Sequence, residues 1–221
     1  MIPNRYRPRH HPTEDHLVDY ATGALDTPVS LLVATHLTLC PGCRRHVALL
    51  EGVGGALLEG LDPAALGAGC RAAVMARLGA CGSTMEGAKR PDRRALCGLE
   101  DIQEVLPRPL LAYLSDHAAA GRPFAWCSLT SGLQTIDLTP WGCRARTRLM
   151  RIRAGATMPR HSHGGTEMLC ILAGGYSDGS GYYAPGDVLI MDAGAEHQPV
   201  ADPGEDCICL AVTAAPGARP D

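Results

Sequence analysis

Apolar positions along this chain follow two different periods. From about residue 13 to residue 78 they recur at three- and four-residue spacing, the signature of helices with one apolar stripe. From about Trp126 they fall instead into short runs with strand character, separated by turn residues. In the first half, Thr13, Glu14 and Asp15 read as an N-cap with an acidic first turn, and Leu17, Tyr20, Ala21 and Ala24 form the stripe of a helix over 13–24. Thr27 caps a second helix with Pro28 at its first position, running through VSLLVATHLTL. Pro41 opens a third, RRHVALLEGVGGALLEG, whose second half is expected to be weak or bent at Gly52, Gly54 and Gly55. Leu66, Cys70, Val74 and Leu78 recur at i+4 and predict a fourth amphipathic helix.

The stretch over 79–95, GACGSTMEGAKRPDRRA, is small, polar and broken by glycine and proline, and reads as a linker between halves free to move relative to each other. The boundaries expected are a helical domain over 1–85, a linker over 86–95 and a β domain over 96–221. In the second half TIDL, ARTRLMRI, EMLCILAG, GDVLIMD and CICLAVT are the candidate strands, with no long helix between them, as in an all-β sandwich or barrel. Upstream of them, GLEDIQEVLPRPLLAYLSDH has room for a short helix and a first edge strand. The fold class is therefore multidomain α + β, small and all-α first, all-β second.

Composition narrows the function. The 221 residues are 46% hydrophobic, enough for a substantial core, and only 4% aromatic, so that core is aliphatic. A net charge of -3 lacks the basic footprint of a nucleic-acid binder, so no direct nucleic-acid contact is expected. The N-terminus carries no apolar leader, and no run of about 18 apolar residues occurs, which points to the cytoplasm and away from a membrane. Ten cysteines in a chain of this length with no secretory signal are expected to be reduced thiols.

Two stretches carry chemistry. In HLTLCPGC, His36, Cys40 and Cys43 stand at i, i+4 and i+7, so a helix running into the CPGC bend brings one imidazole and two thiolates to one face. Structural zinc takes four such ligands, and the fourth is sought in HHPTEDH. His11, just before the first helix, is best placed to turn toward the bend, with His10 and His16 as rivals. The second stretch is GATMPRHSHGGTEMLCILAGG. His161 and His163, two apart on a strand, face one way; Gly164 and Gly165 let the chain bend before Glu167 returns to that side, and His197 offers a fourth ligand from the next hairpin. Three imidazoles and a carboxylate suit zinc, iron, manganese, nickel or copper.

These residues carry resemblances. Gly155, His161, His163, Glu167 and Gly174 match the spacing of the first cupin motif, and Gly186, Gly194 and His197 that of the second, with Asp192 in place of its proline and Ala201 in place of its asparagine. The C-terminal half thus resembles a cupin, a double-stranded β-helix. HHPTEDHLVDYATGAL and VATHLTLCPGC resemble the zinc-binding anti-sigma domain of the ChrR type, and the pairing of that domain with a cupin resembles the same family across nearly the whole chain. The resemblance implies that His11, His36, Cys40 and Cys43 bind zinc. It implies further that the helices clamp an extracytoplasmic-function sigma factor, and that the cupin holds a second divalent metal, zinc by analogy, at His161, His163, Glu167 and His197.

Two classes of function follow. The chain is expected to be a transcription regulator, not an enzyme, that releases the sigma factor under oxidative stress, with singlet oxygen or organic peroxide sensed at the cupin. Oxidation is expected near His161 and His163, where Met168 and Cys170 are close in sequence, with Cys207 and Cys209 as further thiols. The alternative is a metal-dependent cupin enzyme, of dioxygenase or isomerase type, with the helices as an accessory. Dimerisation through the cupin is left open.

Overall fold

The computed structural model describes residues 7–81, 96–122, 124–140 and 142–214. Five helices precede nine strands: α1 (Glu14–Thr22), α2 (Thr27–Leu39), α3 (Pro41–Glu59), α4 (Cys70–Cys81) and α5 (Arg108–Ala119), then β1 (Cys127–Thr130), β2 (Leu133–Asp137), β3 (Arg146–Ile152), β4 (Glu167–Ala173), β5 (Tyr176–Asp178), β6 (Gly181–Tyr183), β7 (Val188–Met191), β8 (Val200–Ala201) and β9 (Cys207–Thr213). None of the described helices is long and apolar enough to cross a membrane.

Local chemistry explains the helix ends. The Thr13 side chain accepts from the His16 N–H to start α1, and Gly23 ends it in the left-handed conformation. Asp26 caps α2 through the Val29 N–H, so Thr27 is the first helical residue and not the cap; the carboxylate reaches that donor and has displaced the hydroxyl from the role. Cys40 closes α2 and caps α3, its sulfur 3.5 Å from the Cys43 N–H. Helix α3 runs unbroken to Glu59 past Gly52, Gly54 and Gly55. Leu66 lies ahead of α4, which begins at Cys70. The linker expected over 86–95 lies outside the described residues.

The strands form two antiparallel sheets, one of six strands in the order β1-β2-β3-β9-β4-β7 and one of three in the order β6-β5-β8. All five predicted strands are present; the short β1, β5, β6 and β8 were not anticipated. The first edge strand expected near residue 100 is replaced by turns leading into α5. Side chains alternate along β4: Glu167, Leu169 and Ile171 face the interior shared with Met158, Tyr176 and Cys209, while Met168, Cys170 and Leu172 face the helices. At the end of β4, Gly174 adopts φ 62°, and a Cβ there would lie 2.5 Å from the Asp206 carbonyl oxygen, so no other residue fits.

Helix α2 belongs to two cores. Val33 and Leu37 pack with Leu17, Leu25 and Val47 in a small helical cluster, whereas Leu31 and Leu32 enter the larger core formed by α5, β4 and β9. The helical half and the β half are thus joined through buried apolar surface, in contrast to the loose hinge expected from the linker alone. Replacing the fully buried Leu32 with Ala should cost about 2–5 kcal/mol, read by urea unfolding, with helical and β signals falling together. A cost below about 1 kcal/mol would place Leu32 outside a packed interface.

Candidate metal centres

Two clusters of donor atoms stand out among the described residues: His11, His36, Cys40 and Cys43, and His161, His163 and His197. Within each, the candidate ligand atoms lie within 4.8 Å of one another.

At the first, the α2–α3 corner brings both thiols together, and the arm before α1 delivers His11. Its Nδ1 lies 3.5 Å from Cys40 Sγ and 3.4 Å from Cys43 Sγ. Nitrogen and sulfur bound tetrahedrally to one zinc would sit roughly 3.5 Å apart, so the spacing fits. His36 is fully buried and donates Nδ1–H to the Gly186 carbonyl at 2.7 Å. Burial lowers its pKa to about 4 against the raising effect of that hydrogen bond, so the ring is neutral. Its Nε2 is left as a buried lone pair with no protein partner, which is what a metal ligand requires. The rivals are otherwise engaged: His16 Nδ1 meets the Thr13 hydroxyl, and His10 Nδ1 lies 3.4 Å from Asp187. Burial and the neighbouring Cys40 push the Cys43 thiol up to about 12.

At the second, His161 and His163 lie on an extended segment, not a regular strand. Pro159 and the Gly164–Gly165 pair interrupt any ladder there, and only an isolated bridge joins His161 to His197, through N–H···O bonds of 3.0 and 2.9 Å. That bridge brings the rings together tilted or edge-on, at interplanar angles of 51–84°, with His197 Nε2 3.0 Å from His161 Nε2 and 3.2 Å from His163 Nε2. Burial, then the neighbouring His161 and His163, lower the His197 pKa, which favours a neutral His197 ring beside the other two imidazoles.

Glu167 is adjacent but shared. Its Oε2 lies 3.0 Å from His163 Nε2, while Oε1 accepts from Thr213 Oγ1 at 2.9 Å and faces Arg148 at 3.5 Å. Burial would raise this carboxyl, yet His163, Thr213 and Arg148 outweigh it and hold it below its ordinary value. The group is anionic and could join the imidazoles around a cation.

Sequence reasoning missed three residues here. Arg148 and Thr213 reach Glu167 from β3 and β9, and Asp178 Oδ2 stands 3.6 Å from His197 Nδ1 with its side chain fully buried. A carboxylate behind a ligating imidazole orients the ring, and both facing atoms lack another partner. In sequence Asp178 carries only a turn signal, which it also honours by accepting from the Ser180 N–H. The imidazoles open onto a cavity of about 400 Å³ whose lining includes Met150, Met158, Tyr176 and Cys209. Met168 and Cys170, expected near the site from sequence proximity, point to the opposite face of β4. Cys207 and Cys209 share the interior face of β9; their mutual hydrogen bond and burial raise the Cys209 thiol well above its usual value, keeping it protonated. Cys40, Cys43, Cys170, Cys207 and Cys209 are all buried free thiols.

Because zinc must displace protons from Cys40 and Cys43, its affinity at the first cluster should rise with pH over about 6–8 and binding should release protons. Calorimetry in buffers of different ionisation enthalpy measures this, and a pH-independent affinity would exclude the thiols as ligands.

Residues 116–215 match the family model described as the ChrR cupin-like domain. Over 208 residues the chain is 39% identical to the anti-sigma-E factor ChrR of Cereibacter sphaeroides, covering 94% of this chain and 91% of that protein. Among solved structures, the crystal structure of Rhodobacter sphaeroides SigE in complex with the anti-sigma ChrR aligns with 93% of this chain and 98% of its own, at 36% identity and a TM-score of 0.71. An RmlC-like cupin from Ralstonia eutropha aligns with 42% of this chain and 64% of its own, at 22% identity and a TM-score of 0.38.

Proposed function

The chain belongs to the ChrR family, and we propose that it is an anti-sigma factor: it sequesters an extracytoplasmic-function sigma factor on its helical domain, residues 1–85, and releases it under oxidative stress sensed by its cupin domain, residues 96–221. The observation that carries this reading is the uncovered apolar face of α3 and α4. Leu49, Val53, Leu57, Leu58, Val74 and Leu78 are all exposed, and no described side chain from Glu51 to Leu78 is buried. The second half of α3 and the helix α4, on which no described residue packs closely enough to bury a side chain, form a surface for a partner's apolar groups. The relative aligned over 94% of the chain is named as an anti-sigma factor, which favours regulation over turnover.

In this reading His11, His36, Cys40 and Cys43 hold zinc, which ties the arm, α2 and α3 into one body and so presents α3 correctly. His161, His163, Glu167 and His197 hold a second divalent ion, for which zinc is our choice. The cavity beside them, with Met150, Met158 and Cys209 in its wall, admits a small oxidant such as singlet oxygen or an organic peroxide to groups that oxidise readily. We place the protein in the cytoplasm, where its partner works.

Two experiments test the proposal. Val74→Asp and Leu78→Asp put charge on the exposed face of α4 and should weaken capture of the co-expressed sigma factor by at least about tenfold while leaving thermal unfolding unchanged. A wild-type chain that captures no sigma factor from native extract sinks the reading. For the sensing step, Glu167→Ala should blunt sigma-dependent transcription under singlet oxygen, while Cys40→Ser should release the sigma factor without stress; an unchanged singlet-oxygen response in Glu167→Ala would remove the cupin ion from the mechanism.

A further inference from the structure

The thiol–imidazole cluster is not built by the helical half alone. Residues 8–11 run along the turn that precedes β7, and there the buried Asp187 carboxylate takes hold of them. Its Oδ1 accepts the Arg9 N–H at 2.6 Å and the His10 N–H at 2.9 Å, across 178 and 177 residues of sequence. Its Oδ2 accepts the Ala184 N–H at 2.9 Å and faces His10 Nδ1 at 3.4 Å. The bond to Ala184 is all that a turn former needs; the bonds to Arg9 and His10 are extra, and they fix the two residues immediately before His11. Val188 adds a third tie by donating its N–H to the His10 carbonyl at 3.0 Å.

The same turn serves the other histidine. Gly186, at φ 93°, turns its carbonyl to His36 Nδ1 at 2.7 Å, and a Cβ there would meet Pro8 Cγ at 2.7 Å and Leu39 Cβ at 3.3 Å. The turn is anchored to β4, since the Gly186 N–H donates to the Ile171 carbonyl at 2.8 Å and the Ile171 N–H to the Asp187 carbonyl at 3.0 Å. The His36 ring and the backbone leading into His11 are therefore held by two successive residues of the β half, which are bonded to Ile171, four residues along β4 from Glu167.

We propose that Asp187 is a positioning residue for this centre: by gripping the backbone of Arg9 and His10 it sets His11 opposite Cys40 and Cys43, so that the cupin half holds one ligand of the helical half's metal site. The proposal rests on the reading of His11, His36, Cys40 and Cys43 as metal ligands. It makes retention of that metal depend on the turn at 184–187, and through it on β4.

The full-length chain loaded with cobalt(II) distinguishes the two centres, because only the first has thiolates and only it gives a sulfur-to-cobalt charge-transfer band. Asp187→Asn keeps the size of the side chain but halves its acceptors. It should speed loss of cobalt to a chelator at the thiolate centre by at least about tenfold and leave release from the imidazole centre unchanged. Arg9→Pro, which deletes one donor without touching the carboxylate, should reproduce the effect. In a His11→Ala background neither change should add to the loss. Wild-type release rates in both variants, equal acceleration at both centres, or an undiminished effect without His11 would each overturn the proposal. A wild-type chain with no charge-transfer band would instead remove the metal reading itself, and the positioning role with it.

Discussion

The hydrogen bond from His36 to the Gly186 carbonyl is the constraint on which the rest of the arrangement turns. It is buried, it spans the two halves of the chain, and it decides which nitrogen of the ring stays free. A neutral imidazole with its Nδ1 proton spent on a carbonyl can offer only Nε2, and offers it toward Cys40, Cys43 and His11. The turn that presents this carbonyl needs glycine, because residue 186 stands at φ 93° and a Cβ there would run into Pro8 and Leu39. Helix α2 contributes to both cores for the same reason: a helix whose buried imidazole is oriented from the β half must be packed against that half.

The two donor clusters differ in how they are held. The first is assembled from three separate pieces, an arm and two helix ends, around one bend. The second is built on a bridge between two extended segments, with carboxylates behind it at Asp178 and Glu167 and an arginine behind Glu167. Loss of a donor from the first would remove a side-chain tie between pieces that are otherwise joined by the Asp187 and Val188 bonds to the arm and by the apolar contacts of α2 and α3. Loss of a donor from the second would leave its backbone bonds in place and change mainly charge and access at the cavity floor.

Much of this was legible in the sequence because it rests on local rules. The HxxxCxxC spacing needs only a helix and a bend, and Thr13 and Pro41 mark helix starts by chemistry that acts within four residues. The five longer strands announced themselves by apolar runs. What stayed hidden was set at long range. Asp26 and not Thr27 caps α2, a competition between adjacent groups that spacing cannot rank. Strands of two or three residues, such as β5 and β8, are too short to show a period. Asp178 looks like any turn residue until β5 brings it under His197, and Met168 and Cys170 look like neighbours of the imidazoles until alternation along β4 turns them away. The linker suggested independence, whereas Leu31 and Leu32 show a shared core that no composition profile reports.

The bare apolar flank of α3 and α4 also bears on how much of this protein a cell can hold. Leu57, Leu58 and Leu78 in water are a standing invitation to any other uncovered surface, including a second copy of the same chain. A molecule so built is safest when made in step with whatever shields that flank, and surplus copies face clumping or degradation. Exposure of those leucines thus ties the behaviour of the free chain to its own concentration.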